Sequence, residues 1–464
     1  MRYRVKEEHG LALPVALLVV TIITILGFSA AYIVDSQTQM GNRFAGGERA
    51  LYFAEAGIHK YLWHLNKNPK YYEVPEEDKG PSEARLGVNT PFEDGFYYLE
   101  IEPPTEATPV VTIRSTGWAS QDPSNRRTVE VQVRKRQFVQ QIYITDREET
   151  PDGQVVWWIT GDHVWGPFHT NGTININGNP VFHDRVTYSG SLNIVPGSNP
   201  KFLNGEPEKV APMVLPPSNA QIMLHALSDY RFTGRTSIML DGNQLKIRNK
   251  NGAVQIRPLP PNGVIYVDGT SGSKWDLNAG NVFVSGTLNG RLTIAAANNI
   301  YITSRDPTNF DYGSATVTHG IRYANGNFNP KGAMTDDMLG LVAQEYVRIL
   351  HYGWFGNPAY DNTDVASSEM TIHATIMALN WCFEYEDYSS GSIKSNLNIV
   401  GSVIQKYRGA VGTFDSKTGV RKTGYMKHYT HDPRLAYDSP PHFSEPVNAG
   451  WEIMTWREIT GSSQ

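Results

Sequence analysis

Asp162, His163, His169, His183 and Asp184 come nearest in this chain to a reactive or metal-binding set. Imidazoles and carboxylates gathered in one short stretch could bind a metal or pass a proton. Such chemistry carries a spacing signature, however, and the chain has no HExxH, no paired-cysteine motif and no EF-hand loop. These side chains are therefore expected to cap turns and bond to loop backbones. EYEDY, Glu384 to Tyr388, is the only dense acidic stretch; a calcium-dependent polysaccharide lyase would need it joined to an Arg or Lys base, which sequence cannot locate. Trp157, Trp158, Trp165, Trp354 and Trp381 could stack on sugar rings. Trp157, Trp158 and Trp165 are the candidate ligand-binding residues, with at least one of them expected in the core because Trp-Trp lies inside a β run. Cys382, the single cysteine, sits in ALNWCFEYE and reads as a small buried hydrophobe. The glycine cluster from Tyr323 to Phe328 lacks the strand-to-helix context of a phosphate loop. No catalytic residue, metal or cofactor is assigned.

The element that must position everything else is the uncharged apolar run LALPVALLVVTIITILGFSAAYIV, residues 11–34. As a helix at ~1.5 Å per residue it reaches roughly 36 Å, enough to cross a bilayer. Arg2, Arg4 and Lys6 precede it, so the positive-inside rule places the leader in the cytoplasm and the chain beyond Asp35 outside. The run does not end in a cleavable, non-helical junction, as a secretory signal would. Leu51, Ala54, Ile58, Tyr61, Leu62 and Leu65 continue it as one amphipathic stripe, until Asn66, Asn68 and Pro69 stop the helix. The remaining readings are a plain membrane anchor and a signal cut on the cytoplasmic side after Gly10, with the helix retained.

GLALPVALLVVTIITILG followed by MGNRFAGGERALYFAEAGI resembles the N-terminal region of PilX-type minor pilins, the ERALYFAEAGI block (Glu48 to Ile58) being its most specific part. Further blocks are similar to a body module behind such N-termini, as in ComZ-like large minor pilins: WGPFHTNGTININGNPVF, LGLVAQEYVRIL, TIHATIMALN, SVIQKYRGAVGTF and the closing DPRLAYDSPPHF and WEIMTWRE. The resemblance implies that a prepilin peptidase cleaves between Gly10 and Leu11 and methylates the new amine. It also implies partners among other pilins, reached through the N-terminal helix in the membrane and then in an extracellular filament. A surface glycan or protein is the further candidate partner.

Two departures bear on position in such a filament. Most major pilins carry a glutamate as the fifth residue after the cut, where it meets a neighbour's terminal ammonium; here that residue is Val15, a lack similar to that of tip-initiating pseudopilins. A buried ammonium without a carboxylate is costly, so a subunit lacking it is expected at the tip or in priming rather than along the shaft. Pro14 falls in the first helical turn, where its missing N–H costs no intrahelical bond.

The chain has 464 residues, a net charge of −5 and one cysteine, so packing and backbone pairing must hold it together without an internal disulfide. Its mild acidity gives no basic surface for nucleic acid, and no nucleic-acid partner is expected. Residues 67–137 read as a small α/β module. After a polar, proline-bearing connection come strands at Phe96 to Ile101, Val110 to Thr116 and Thr128 to Arg134, where Val129, Val131 and Val133 alternate with polar residues. Residues 138–464 change texture to short β runs separated by Gly, Asn and Asp corners. An insertion at about 204–262 holds a short helix capped by Ser218 or Asn219 and a hairpin turning at Asp241-Gly242-Asn243.

The expected fold is thus α+β: a leader (1–10), a long N-terminal helix (11–66, membrane-spanning over 11–34), a small antiparallel sheet, and a mainly β body. Strands too short for a flat sheet favour a parallel β-solenoid for that body, with a β-sandwich as the alternative. The expected function is that of a non-enzymatic minor pilin or pseudopilin displaying the body for adhesion or subunit interaction. The alternatives are a membrane-anchored adhesin outside any filament and a β-helix polysaccharide-active enzyme.

Overall fold

The computed structural model describes residues 12–68, 70–80, 83–104, 110–325, 336–415, 420–436 and 438–459. Two compact units emerge, residues 1–135 with 450–464, and residues 136–449. The first unit is built on α1 (Ala12–Lys67) and a sheet of β1 (Asn89–Phe92), β2 (Gly95–Glu102), β3 (Val111–Ala119), β4 (Asp122–Lys135) and the C-terminal strand Trp451–Ile459, in that spatial order. All its pairings are antiparallel. The valine alternation works as expected: Val129, Val131 and Val133 are fully buried with Val111, Ile113 and Leu99 against Ala54, Ile58, Tyr61 and Leu65 of the helix. Each such side chain stabilises by roughly 1.5–3 kcal/mol. Helix and sheet approach so closely that a Cβ on Gly117 would lie 2.2 Å from the Ala54 backbone nitrogen and 2.3 Å from the Ala50 carbonyl. Only glycine fits there.

The last strand departs from the sequence reading, which carried residues 450–464 with the body. Trp451 pairs with Lys135 and Ile459 with Thr128, and Trp451 donates its indole N–H to the Leu65 carbonyl at 3.1 Å. Backbone pairing to a strand more than 300 positions away leaves no local trace in WEIMTWREI. Topologically, residues 136–449 are therefore an insertion between two adjacent strands of one sheet. The short strand β1 was also not anticipated, because Pro91 weakens its strand pattern.

The second unit is mostly β, with mixed sheets. One parallel ladder runs through strands at Val264–Asp268, Arg291–Ala296, Met338–Ala343, Met370–Ala378 and Ile393–Tyr407. It continues through Tyr143–Arg147, Phe168–Thr170, Val186–Tyr188 and Glu208–Lys209. A second parallel ladder stacks Val282, Ile300, Val347 and Phe383. Antiparallel pairing enters in the Thr236–Gly242/Gln244–Asn249 hairpin, whose turn uses Gly242 at φ +66°, and between Gly412–Phe414 and Arg421–His431. Thr236–Gly242 itself pairs in parallel with Val282–Leu288, so this hairpin belongs to the body's sheet system.

Side chains of the first ladder divide by parity. Leu339, Leu341 and Ala343 belong to the central core with Ile372, Ala374, Ile376, Leu292 and Ile294. Their neighbours Val342, Met377, Ala295, Tyr266, Ile404 and Ile144 point to the other face, where Met213, Ile222, Ala226, Leu435 and Phe443 cover them. The ladder order is not the chain order. The chain enters the stack at Tyr143, climbs to Glu208, returns along the covered face through residues 211–226, and re-enters at the far end near Arg231. Asn219 pins this return segment: its side-chain amide donates to the Ala296 (2.8 Å) and Val342 (3.2 Å) carbonyls, and its oxygen accepts from the Tyr266 hydroxyl. Its side chain does not cap the helix Ala220–His225.

Candidate functional site

Gly10 and Leu11 lie outside the described residues. Beyond them α1 has two halves. From Leu13 to Ala45 its described side chains are exposed, Val15 at 56% and Leu17 at 71%, whereas from Ala50 onward one face is buried on the sheet. The exposed half is long and apolar enough to cross a membrane by length and composition. Thr21 and Thr24 donate their hydroxyls to the Leu17 and Val20 carbonyls, each at 2.7 Å, so these polar groups need no partner outside the helix. Val15 puts no carboxylate on this surface.

The three candidate tryptophans separate. Trp158 is buried among Phe168 and Phe182, with the Arg408 guanidinium carbon 3.8 Å from its ring centroid. It is a core residue. Trp157 is half-buried. Trp165 is 52% exposed, but His183 stacks on one face with ring centroids 3.4 Å apart and 12° between planes. The ladder explains this contact: Val181 pairs with His163 and Phe182 with Val164, which brings His183 beside Trp165. Trp354 is fully buried and donates to the Asn309 carbonyl at 3.0 Å, while Trp381 is stacked between Tyr346 and Tyr407. Trp165 is thus the candidate with an open ring.

The histidine cluster is split by the same ladders. His163 Nδ1 and His183 Nε2 lie 2.9 Å apart at the surface, where burial and the neighbouring imidazole lower the His183 pKa. His169 is buried elsewhere, its Nε2 donating to Asn171 Oδ1 at 3.0 Å, and burial lowers its pKa to about 4. Asp184 accepts from Asn204 and Asp162 from the Ile159 backbone. Among the described residues no group of three or more His, Cys, Asp or Glu side chains is placed to hold a metal. The acidic stretch is engaged in ion pairs: Arg348 donates to Glu384 at 2.7 Å, and Lys274 to Glu386 at 2.9 Å. Cys382 is buried, its thiol 3.4 Å from Glu384, and burial pushes its pKa up.

Sequence reasoning missed the polar centre of the body. Arg408 and Glu148, each with side chains only 1% exposed, form an ion pair at 2.9 Å. Thr145 donates to Glu148, and Gln405 to the Tyr143 hydroxyl. Arg408 Nε has no hydrogen-bond partner in this centre. The pair spans 260 positions of chain, which is why neither residue stood out locally.

A family model described as a domain of unknown function, DUF4900, matches residues 106–191 and so reaches into both compact units. No curated protein matches the chain. Among solved structures, the competence-associated pilin ComZ from Thermus thermophilus aligns over 89% of this chain and 97% of its own, at 12% identity and a TM-score of 0.27.

Proposed function

We propose that the chain is a minor pilin or pseudopilin, a non-enzymatic subunit that enters a type IV pilus-like or secretion filament through its N-terminal helix. The observation that carries this reading is the division of α1. Its first half leaves Leu17, Leu18, Ile23, Leu26 and Phe28 exposed, while its second half is fixed to an antiparallel sheet. An apolar rod without partners of its own gains by burial in lipid first and among neighbouring rods afterwards. In this reading the leader stays in the cytoplasm, the prepilin peptidase cuts at Gly10–Leu11, and the apolar helix stays in the membrane, with the body outside, until the subunit joins the filament. Val15 in place of a glutamate favours a place at the tip or in priming.

The finer reading of the body is a parallel β-solenoid displayed for adhesion or subunit contact. Parallel registers passing from strand to strand through at least two ladders support it. So does an apolar core drawn from the same parity of each rung.

The test is N-terminal mass spectrometry of the protein recovered from sheared filaments. The expected result is a chain beginning at N-methylated Leu11. An uncut Met1 in cells with an active prepilin peptidase, together with absence from the filament fraction, overturns the proposal.

A further inference from the structure

Two imidazole nitrogens meet at the surface of the body. His163 Nδ1 and His183 Nε2 are 2.9 Å apart, in rings whose centroids are 5.2 Å apart with 24° between planes. Adjacent rungs of one parallel ladder place them: His163 and Val164 pair with Val181 and Phe182, and His183 follows directly. Backbone bonds fix the register, the Val181 N–H donating to the Asp162 carbonyl and the His183 N–H to the Val164 carbonyl, each at 2.9 Å. Val164 and Phe182 are buried in the central core, so the backbone carrying both imidazoles is anchored. The Trp165 indole, stacked at 3.4 Å, holds the His183 ring.

Neither imidazole serves another group. Among the described residues their mutual contact is the one hydrogen bond that these two side chains make. A neutral imidazole has one N–H and one lone pair, so in this contact one ring donates and the other accepts. A shift of the donor ring to its other tautomer turns both facing nitrogens into lone-pair donors, with no net release of a proton. Two lone pairs aimed across so short a gap repel each other until a cation lies between them.

The separation selects the ion. At bond lengths of about 2.0 Å, two cis nitrogens of a square-planar ion stand roughly 2.8 Å apart, and two of a tetrahedral ion roughly 3.3 Å. The observed 2.9 Å fits the square plane, the geometry of copper(II) and nickel(II) rather than of zinc. Of these copper(II) binds nitrogen ligands most tightly, whereas magnesium and calcium take oxygen. No third His, Cys, Asp or Glu joins the pair among the described residues, which leaves the rest of the plane to water.

We propose that His163 and His183 form a cis-chelating surface site for copper(II). The ion ties two rungs of the body's ladder together through their side chains. This assignment does not rest on the filament reading and holds for a free or polymerised chain.

The test is titration of the full chain in detergent with copper(II) chloride, followed by electron paramagnetic resonance and tryptophan fluorescence. The expected result is a saturable tetragonal copper signal with two nitrogen ligands, together with partial quenching of tryptophan emission, because Trp165 lies against His183. Nickel and zinc chlorides should compete more weakly than copper, and magnesium chloride should not compete. His163→Asn and His183→Asn should each weaken binding by at least about tenfold, the loss that even an outer-shell partner can cost at a metal site. Trp165→Phe should keep the copper signal and lose most of the quenching. Thermal melts establish that the variants fold; if His183→Asn does not, His163→Asn, at an exposed position, decides. Unchanged copper affinity in His163→Asn, a signal without two nitrogen ligands in the unaltered protein, tighter binding of zinc than of copper, or full quenching in Trp165→Phe overturns the proposal.

Discussion

Lys135 and Trp451 are paired across an antiparallel ladder although the whole of residues 136–449 lies between them. Directly opposed residues of such a ladder have Cα atoms about 4.5–5.5 Å apart, so the ends of the inserted unit must leave and return side by side. The insert meets that demand itself. The turns at Phe138–Gln140 and Pro433–Ala436 pack together, and His431 Nε2 lies 2.9 Å from the Val139 carbonyl.

The first prediction follows from this pairing. Replacing residues 136–449 by an Asn-Gly turn should leave the first unit folded, since its core draws only on α1, the sheet and residues 71–86. With the exposed half of α1 also removed for solubility, the fragment should melt in one cooperative transition with near-native circular dichroism. A molten, uncooperative fragment would show that the sheet needs the body to fold.

Gly117 supplies a second prediction. Any side chain there meets the helix backbone at Ala50 and Ala54, which cannot move without breaking helical hydrogen bonds. Gly117→Ala should cost about 3 kcal/mol, at the upper end of overpacking penalties, while Gly87→Ala should cost only about 1 kcal/mol, because open space surrounds it and only its left-handed backbone at φ +68° opposes a side chain. Urea denaturation of the first-unit fragment measures both, and equal costs would argue against the close approach.

What local pattern could reveal divides along physical lines. In β4 one face packs on the helix and the other carries the polar side chains Glu130, Gln132 and Arg134, so valines alternate with polar residues and both strand and partner helix are legible. In Met338–Ala343 both faces are covered, one by core and the other by the return segment, and MLGLVA carries no alternation. Repeat spacing fails for a related reason. Phe168 pairs with Val186, 18 positions on, but Thr293 pairs with Gly340, 47 positions on, because loops of unequal length leave the same stack. Asn219 reads as a helix cap yet holds three strands together, and Arg408 finds Glu148 only in three dimensions. Of the tryptophans, a pair inside a β run could be divided in principle, but only the ladder register reveals that His183 covers one face of Trp165.

The buried Glu148–Arg408 pair gives a third prediction. Removing one partner leaves an uncompensated charge in the core, so Arg408→Met alone should cost about 3–5 kcal/mol. Adding Glu148→Gln should recover a large part of that loss, because no isolated carboxylate then remains. Chemical denaturation of the two single variants and the double variant completes the cycle, and strict additivity would mean that the charges do not interact.

His169 sets the sign of the acid response. Its folded pKa, about 4, lies below the ordinary value of 6.5 because burial disfavours the imidazolium. The folded state therefore binds fewer protons than the unfolded chain between those values. This contribution is fully present above about pH 6.5 and is lost as the pH falls toward 4. Burial lowers the His373 pKa to about 4 as well, so both residues push in the same direction. The melting temperature of the body should fall steadily from pH 6.5 to pH 4.5. In His169→Gln the fall should be shallower, even if the variant begins from a lower melting temperature at neutral pH. A slope in His169→Gln as steep as that of the unaltered protein would place the acid sensitivity in other groups and remove His169 as one of its sources.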